Sequence, residues 1–381
     1  MKRALAGVVL LLVLAAACIT AHPDQAVRGS ADHGPPPGVS LNGWKTDFSK
    51  HSVPLTEIMS GGPGRDGISP IDHPRFVSPA EAAGWLKGRE PVVAFSLGSE
   101  QRAYPLQILI WHEIVNDQVG DRSVTVTFCP LCNTAIAFDR QVDGRVLDFG
   151  TTGTLRKSDL VMWDRQTESW WQQASGTAIV GSMTGKQLDI LPVSIASFDS
   201  FRSAYPDGRI LSRDTGFTKP YGENPYVGYD EVNNPPFLFA GKTDGRLPPK
   251  ERVVSVQIGA DTVAYPYSVL KKRRAVTDTV GGASIVILYQ PGTASALDTS
   301  SIAEGADVGS TGVFRTALDG RPLTISVSGS GFQDAETRSR WNVLGLAVSG
   351  PLSGRHLEPV LHGDHFWFTW AAFQPSTRIY Q

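Results

Sequence analysis

The chain has 381 residues, 41% of them hydrophobic and 19% charged, with a formal net charge of −2. These proportions suit a globular protein with a sizeable core. Neither a basic block nor an interleaving of aromatic and basic residues occurs, which excludes a nucleic-acid-binding class.

The chain opens with Lys2 and Arg3, followed by an apolar run from Ala4 to Ala17 that ends at Cys18. The run has signal-core length and is too short for a comfortable membrane span. A small residue before Cys18 resembles the lipobox of bacterial lipoproteins, with Ala15 where leucine is more usual. Residues 1–18 are therefore expected to be an export signal. Lipidated Cys18 would tether the protein to a membrane of the cell envelope. Residues 19–66, with Pro35, Pro36, Pro37 and no apolar period, are expected to form a disordered tether. Its histidines, His22, His33 and His51, are expected to be solvated.

From Ile68 onward the apolar pattern is mostly short and strand-like. Ser78, Pro79 and Glu81 supply a cap, a first-turn proline and a capping-box partner for a helix. A second helix is expected over SIASFDSFRSAYP, from Ser194, ending before Pro206. The strongest long-range signal is repetition. VVAFSLGSEQRAYPLQIL begins at Val92 and VVSVQIGADTVAYPYSVL at Val253, an offset of 161 positions. The register continues through Asp117 and Asp278, and through Pro130 and Pro291. After a gap, Asp164, Thr167, Ser169 and Trp171 meet Asp334, Thr337, Ser339 and Trp341. The expected organisation is α+β and β-rich, with two tandem duplicated domains packed pseudo-symmetrically. A first repeat covers 67–212, a connector 213–252 and a second, degenerate repeat 253–381. Tyr221, Tyr226 and Tyr229 of the connector either line a pocket or pack the loop down.

Chemistry concentrates in the first repeat. Cys129-Pro130-Leu131-Cys132 stands between two strand-like runs, so it is expected on a tight turn, with Asn133 tolerating left-handed backbone. Such a turn resembles the knuckle of rubredoxins and zinc ribbons, which aims two sulfurs at one ion. The second repeat carries Gln290, Thr293 and Arg273 where the first has Cys129, Cys132 and His112. Their joint replacement makes His112, Cys129 and Cys132 the expected ligands of a transition metal ion: zinc, copper or iron. Glu113 and Asp159 are candidate catalytic groups and, with Met162, candidate fourth ligands. Two alternatives remain at this level: a thiol-disulfide oxidoreductase using the cysteine pair, and a non-catalytic surface binding module braced by a disulfide. The metal reading covers both a metalloenzyme and a metal-handling protein, with a small-molecule or protein partner.

WHEIVND, FCPLC, FGTTGTLRKSDLVMWDRQTESWWQ and RLPPKERVV resemble the family known as domain of unknown function 3179, from about Ile68 to the carboxyl end. The family's FCPLC element usually continues with glycine, where this chain has Asn133. The resemblance implies export and a histidine-plus-CPLC centre, carried here by His112, Cys129 and Cys132. If Cys18 is the anchor, Cys18→Ser should move the protein from the membrane to the soluble fraction. The wild-type protein's mass should carry the lipid, and its absence would refute the anchor.

Overall fold

The computed structural model describes residues 34–381; the export segment, Cys18, His22 and His33 lie outside them. The chain there is rich in strands and carries few helices, none long and apolar enough to cross a membrane.

Alternating apolar residues give strands Pro91–Leu97 and Glu100–Pro105, which pair antiparallel with Val93 opposite Tyr104. Helix Leu106–His112 follows, then strands Ile114–Val119, Arg122–Cys129 and Thr134–Asp139 in a second sheet. Residues 253–290 form the same elements in the same order. Strands Arg252–Ile258 and Asp261–Pro266 place Val254 opposite Tyr265, helix Tyr267–Arg273 follows, and strands Ala275–Val280 and Ala283–Gln290 pair next. Both halves then close by parallel pairing of a late strand, Arg209–Leu211 on Glu100–Pro105 and Arg378–Ile379 on Asp261–Pro266.

Two polar devices also occur in each half. Tyr104 Oη donates to Asp117 Oδ2 at 2.6 Å, and Tyr265 Oη to Asp278 Oδ2 at 2.8 Å. Asp164 accepts from Thr167 N (2.6 Å) and Trp171 Nε1 (2.9 Å), while Asp334 accepts from Thr337 N (2.5 Å) and Trp341 Nε1 (2.9 Å). Each carboxylate thus ties a turn to a buried tryptophan.

The core is shared. Phe366 and Phe368 join the cluster built on Val93, Phe95 and Tyr104, while Phe198 and Phe201 join Val286, Leu288 and Trp341. Two expectations need correction. Residues 34–66 are not a free tether. Ile58–Ser60 pairs with Phe149–Arg156, and the rings of Trp44 and Phe48 stand edge-on to Trp170 at 5.0 and 5.2 Å. The segment covers an apolar sheet face that would otherwise meet water. The second helix begins at Phe198 rather than Ser194, because Val193–Ser197 pairs as a strand with Pro91–Leu97 and Ser197 caps the helix. The first helix is short, Pro79–Ala82, with the Ser78–Glu81 capping box in place.

Asp334 and Trp341 are essentially inaccessible to solvent. Asp334→Ala should therefore cost about 3 kcal/mol, the penalty of stranding buried donors, and Asp164→Ala a similar amount. Urea unfolding checks this; losses below ~1 kcal/mol would show the two networks to be incidental.

Candidate metal centre

Strand Arg122–Cys129 delivers Cys129 at its end, and a single 3-10 turn, Pro130–Cys132, turns the chain. Asn133 then takes a left-handed conformation (φ 51°, ψ 38°) and starts the next strand, as its short polar side chain permits. The turn faces the corner between strands Phe149–Arg156 and Asp159–Asp164. Lys157 and Ser158 both have positive φ, 53° and 65°, as a two-residue type I′ hairpin requires. That corner presents the Ser158 carbonyl and the Asp159 carboxylate to the sulfurs. Cys132 Sγ lies 3.4 Å from Ser158 O and 3.3 Å from Asp159 Oδ1, and Cys129 Sγ lies 4.0 Å from Ser158 O.

The donor atoms of Cys129, Cys132 and Asp159 all lie within 4.8 Å of one another and are buried. Both cysteines are free thiols. Asp159 Oδ2 accepts from Gln172 Nε2 at 2.5 Å and from Ala174 N at 2.9 Å. These donors fix the carboxylate and leave Oδ1 toward Cys132, the supporting arrangement a metal ligand needs.

His112, the expected third ligand, is not among these donor atoms. Its Nδ1 is 2.7 Å from Ser69 O and its Nε2 2.7 Å from Tyr221 Oη. A carbonyl only accepts, so Nδ1 carries the proton and Nε2 accepts from Tyr221. Tyr221 Oη in turn lies 2.5 Å from Thr215 Oγ1, which must then be the donor. His112 thus fastens the connector to the first half. Met162 packs in the same apolar cluster as both cysteines.

Glu113 follows the helix at φ 58°, ψ −29°, and Arg274 holds the same strained conformation (φ 61°, ψ −30°) in the second half. The strain therefore belongs to the helix-to-strand corner and not to glutamate. Burial, aided by the charge of Asp159, pushes the Glu113 pKa to about 8. Burial raises Asp159 to about 6 against the hydrogen bonds that favour its ionised form. Burial also raises the Cys129 thiol, and Cys132 further still. Four acidic groups are thus packed together, and no cation among the described residues pairs with Glu113 or Asp159.

The second half and the connector close the centre. The buried Thr369 hydroxyl approaches Cys132 and favours its thiolate. Thr134 Oγ1, just beyond the cysteine turn, lies 2.7 Å from His365 Nδ1. Ser158 Oγ donates to Phe237 O, and Phe237 N donates to Tyr229 Oη at 3.3 Å. Sequence reasoning named Tyr221, Tyr226 and Tyr229 but missed Gln172 and Thr369, which carry no local motif.

The chain matches the family described as "Protein of unknown function (DUF3179)" over residues 65–377 and belongs to it. Neither the curated proteins nor the solved structures gave a match.

The raised Glu113 pKa sets a pH dependence. The folded metal-free protein holds this proton more tightly than the unfolded chain, whose glutamate has the ordinary value of 4.5. Stabilisation from the protonated group is complete below pH 4.5 and is lost as pH rises toward about 8. Relative to Glu113→Gln, the wild type should lose up to ~1.4 kcal/mol per pH unit through that window. Parallel pH profiles of the two proteins would expose an ordinary carboxylate at position 113.

Proposed function

We propose that this is an exported, lipid-anchored protein whose first half holds one transition metal ion on Cys129, Cys132 and Asp159, in a metalloenzyme or metal-handling role. The observation that carries this reading is the uncompensated acidity of the centre. Two thiols and a carboxylate converge within 4.8 Å in a dry environment, where ionised forms are strongly disfavoured without a partner. A divalent cation supplies that partner and makes deprotonation favourable, so binding releases protons. A carboxylate in place of the expected imidazole hardens the donor set. It shifts preference from copper(I) toward zinc or iron(II). Three protein ligands leave one position of a tetrahedral site for another donor, as catalytic sites do.

The arrangement weighs against the oxidoreductase alternative. Exchange between thiols and a protein disulfide needs an accessible thiolate. Here Cys129 and Cys132 are 1% and 0% exposed, with raised pKa values. The matching elements and polar devices of the two halves support the further reading that they arose by duplication and pack pseudo-symmetrically. On that reading the second copy, with Gln290 and Thr293 in place of the cysteines, serves as scaffold and cover.

Metal analysis of protein purified without a histidine tag tests the centre. The expected result is about one zinc or iron per chain, falling at least tenfold in Cys129→Ser, Cys132→Ser and Asp159→Asn. His112→Ala should keep its ion. A wild type that remains metal-free after incubation with either ion, or a His112→Ala variant that loses it selectively, would overturn the ligand set.

A further inference from the structure

Beside the thiol cluster lies a cavity of about 750 Å³, within the range that encloses a drug-sized molecule. Glu113, Leu131 and Leu160 reach it from the first half, and Tyr226, Tyr229 and Phe237 from the connector. Three features bear on what it holds. First, Glu113 is 7% exposed, and its carboxyl has no hydrogen-bond or ion-pair partner among the described residues. A buried polar group left open toward a cavity is uncommon in a folded protein and calls for an occupant. Second, the walls are otherwise largely aromatic and aliphatic, and the apolar side chains of Val227 and Phe237 stand exposed among its lining, at 60% and 51%. Solvent-facing apolar side chains beside a cavity favour entry of an apolar molecule. Third, the cavity's lysine is already engaged. Lys250 is 3% exposed, donates to Tyr229 O, and its Nζ sits 3.5 Å from the Tyr229 ring centroid. It braces the connector and leaves no free cation for an anionic group.

We propose that this cavity binds a neutral, mainly apolar conjugated molecule whose carbonyl oxygen accepts a hydrogen bond from Glu113. A carboxyl buried in this apolar wall without a cation beside it among the described residues is disfavoured as an ion, and the neutral form donates a hydrogen bond. The inference stands apart from the metal reading, since cavity and carboxyl need no ion.

The test uses 6-propionyl-2-dimethylaminonaphthalene, a neutral naphthyl ketone whose emission reports both polarity and hydrogen bonding to its carbonyl. Titrated into the purified full chain at pH 6.5, it should bind saturably at one site per chain. Glu113→Gln, which keeps a donor, should bind within about threefold of wild type. Glu113→Leu should bind about tenfold more weakly, the usual effect of losing one hydrogen bond in a dry site, with emission shifted to the blue. Val227→Trp, a change at an exposed position, narrows the cavity and should block binding even if Glu113→Leu fails to fold. Asp159→Asn should bind the ketone normally while losing its metal, so the two readings fail separately. Absence of saturable binding to wild type, or binding unchanged by both Glu113→Leu and Val227→Trp, would overturn the proposal.

Discussion

Burial at one corner of the first half drives the pKa values of Cys129, Cys132, Glu113 and Asp159 upward together, because the surrounding elements are largely apolar and no cation among the described residues pairs with the two carboxyls. This constraint organises much of the neighbouring structure. Asp159 retains partial acidity through the donors Ala174, Gln172 and Cys132. Glu113, with no such donors, stays protonated to about pH 8. Hydrogen bonds to Asp159, and the charge of Asp159 acting on Glu113, thereby set the two carboxyls apart in acidity. Asp159 is suited to join the thiols around a cation, whereas Glu113 is suited to donate into the cavity.

The dryness of this corner depends on parts of the chain distant in sequence. Ser158 is tied to Phe237 of the connector, Lys157 Nζ donates to Ala372 O at 2.9 Å, and Thr369 closes over Cys132. Without these, water would reach the sulfurs and the pKa displacements would collapse. The shared cores around Phe366 and Phe198 hold the halves in register, so the environment of the cysteines is a property of the whole described chain.

Much of the architecture was legible in the sequence where local chemistry dictates it. The strands after Val92 and Val253, the Ser78 capping box, the left-handed Asn133 and the paired Asp–Trp networks all follow from patterns of a few residues. The misreadings have physical causes. Trp44, Phe48, Leu55 and Ile58 lack a period because they cover a sheet as irregular chain, so their burial left no periodic trace. Helix Leu106–His112 is buried on nearly every side, including Gln107 and His112, and so shows no amphipathic stripe. Asp159 reaches the cysteines through a Lys157-Ser158 hairpin that lacks the usual Asn-Gly signal. The second half lacks His112 as it lacks the cysteines, yet both ring nitrogens of His112 are engaged by Ser69 and by Tyr221 of the connector. Joint absence from a matching segment does not show that residues share a ligand.

The connector is stitched to the second half by main-chain bonds. Asn224 N donates to Ser300 O at 2.8 Å, Gly228 N to Asp298 O at 2.6 Å, and Ile302 N to Gly222 O at 3.0 Å. Tyr226 of the cavity lies between these bonds, and Tyr229 next to them donates its own N–H to Leu297 O at 3.1 Å. A molecule larger than the mouth can therefore exchange only when several peptide hydrogen bonds open in concert. That opening has its own free energy, below that of global unfolding. Residence time in the cavity would then follow the rate of this local opening, with affinity set separately by the contacts inside.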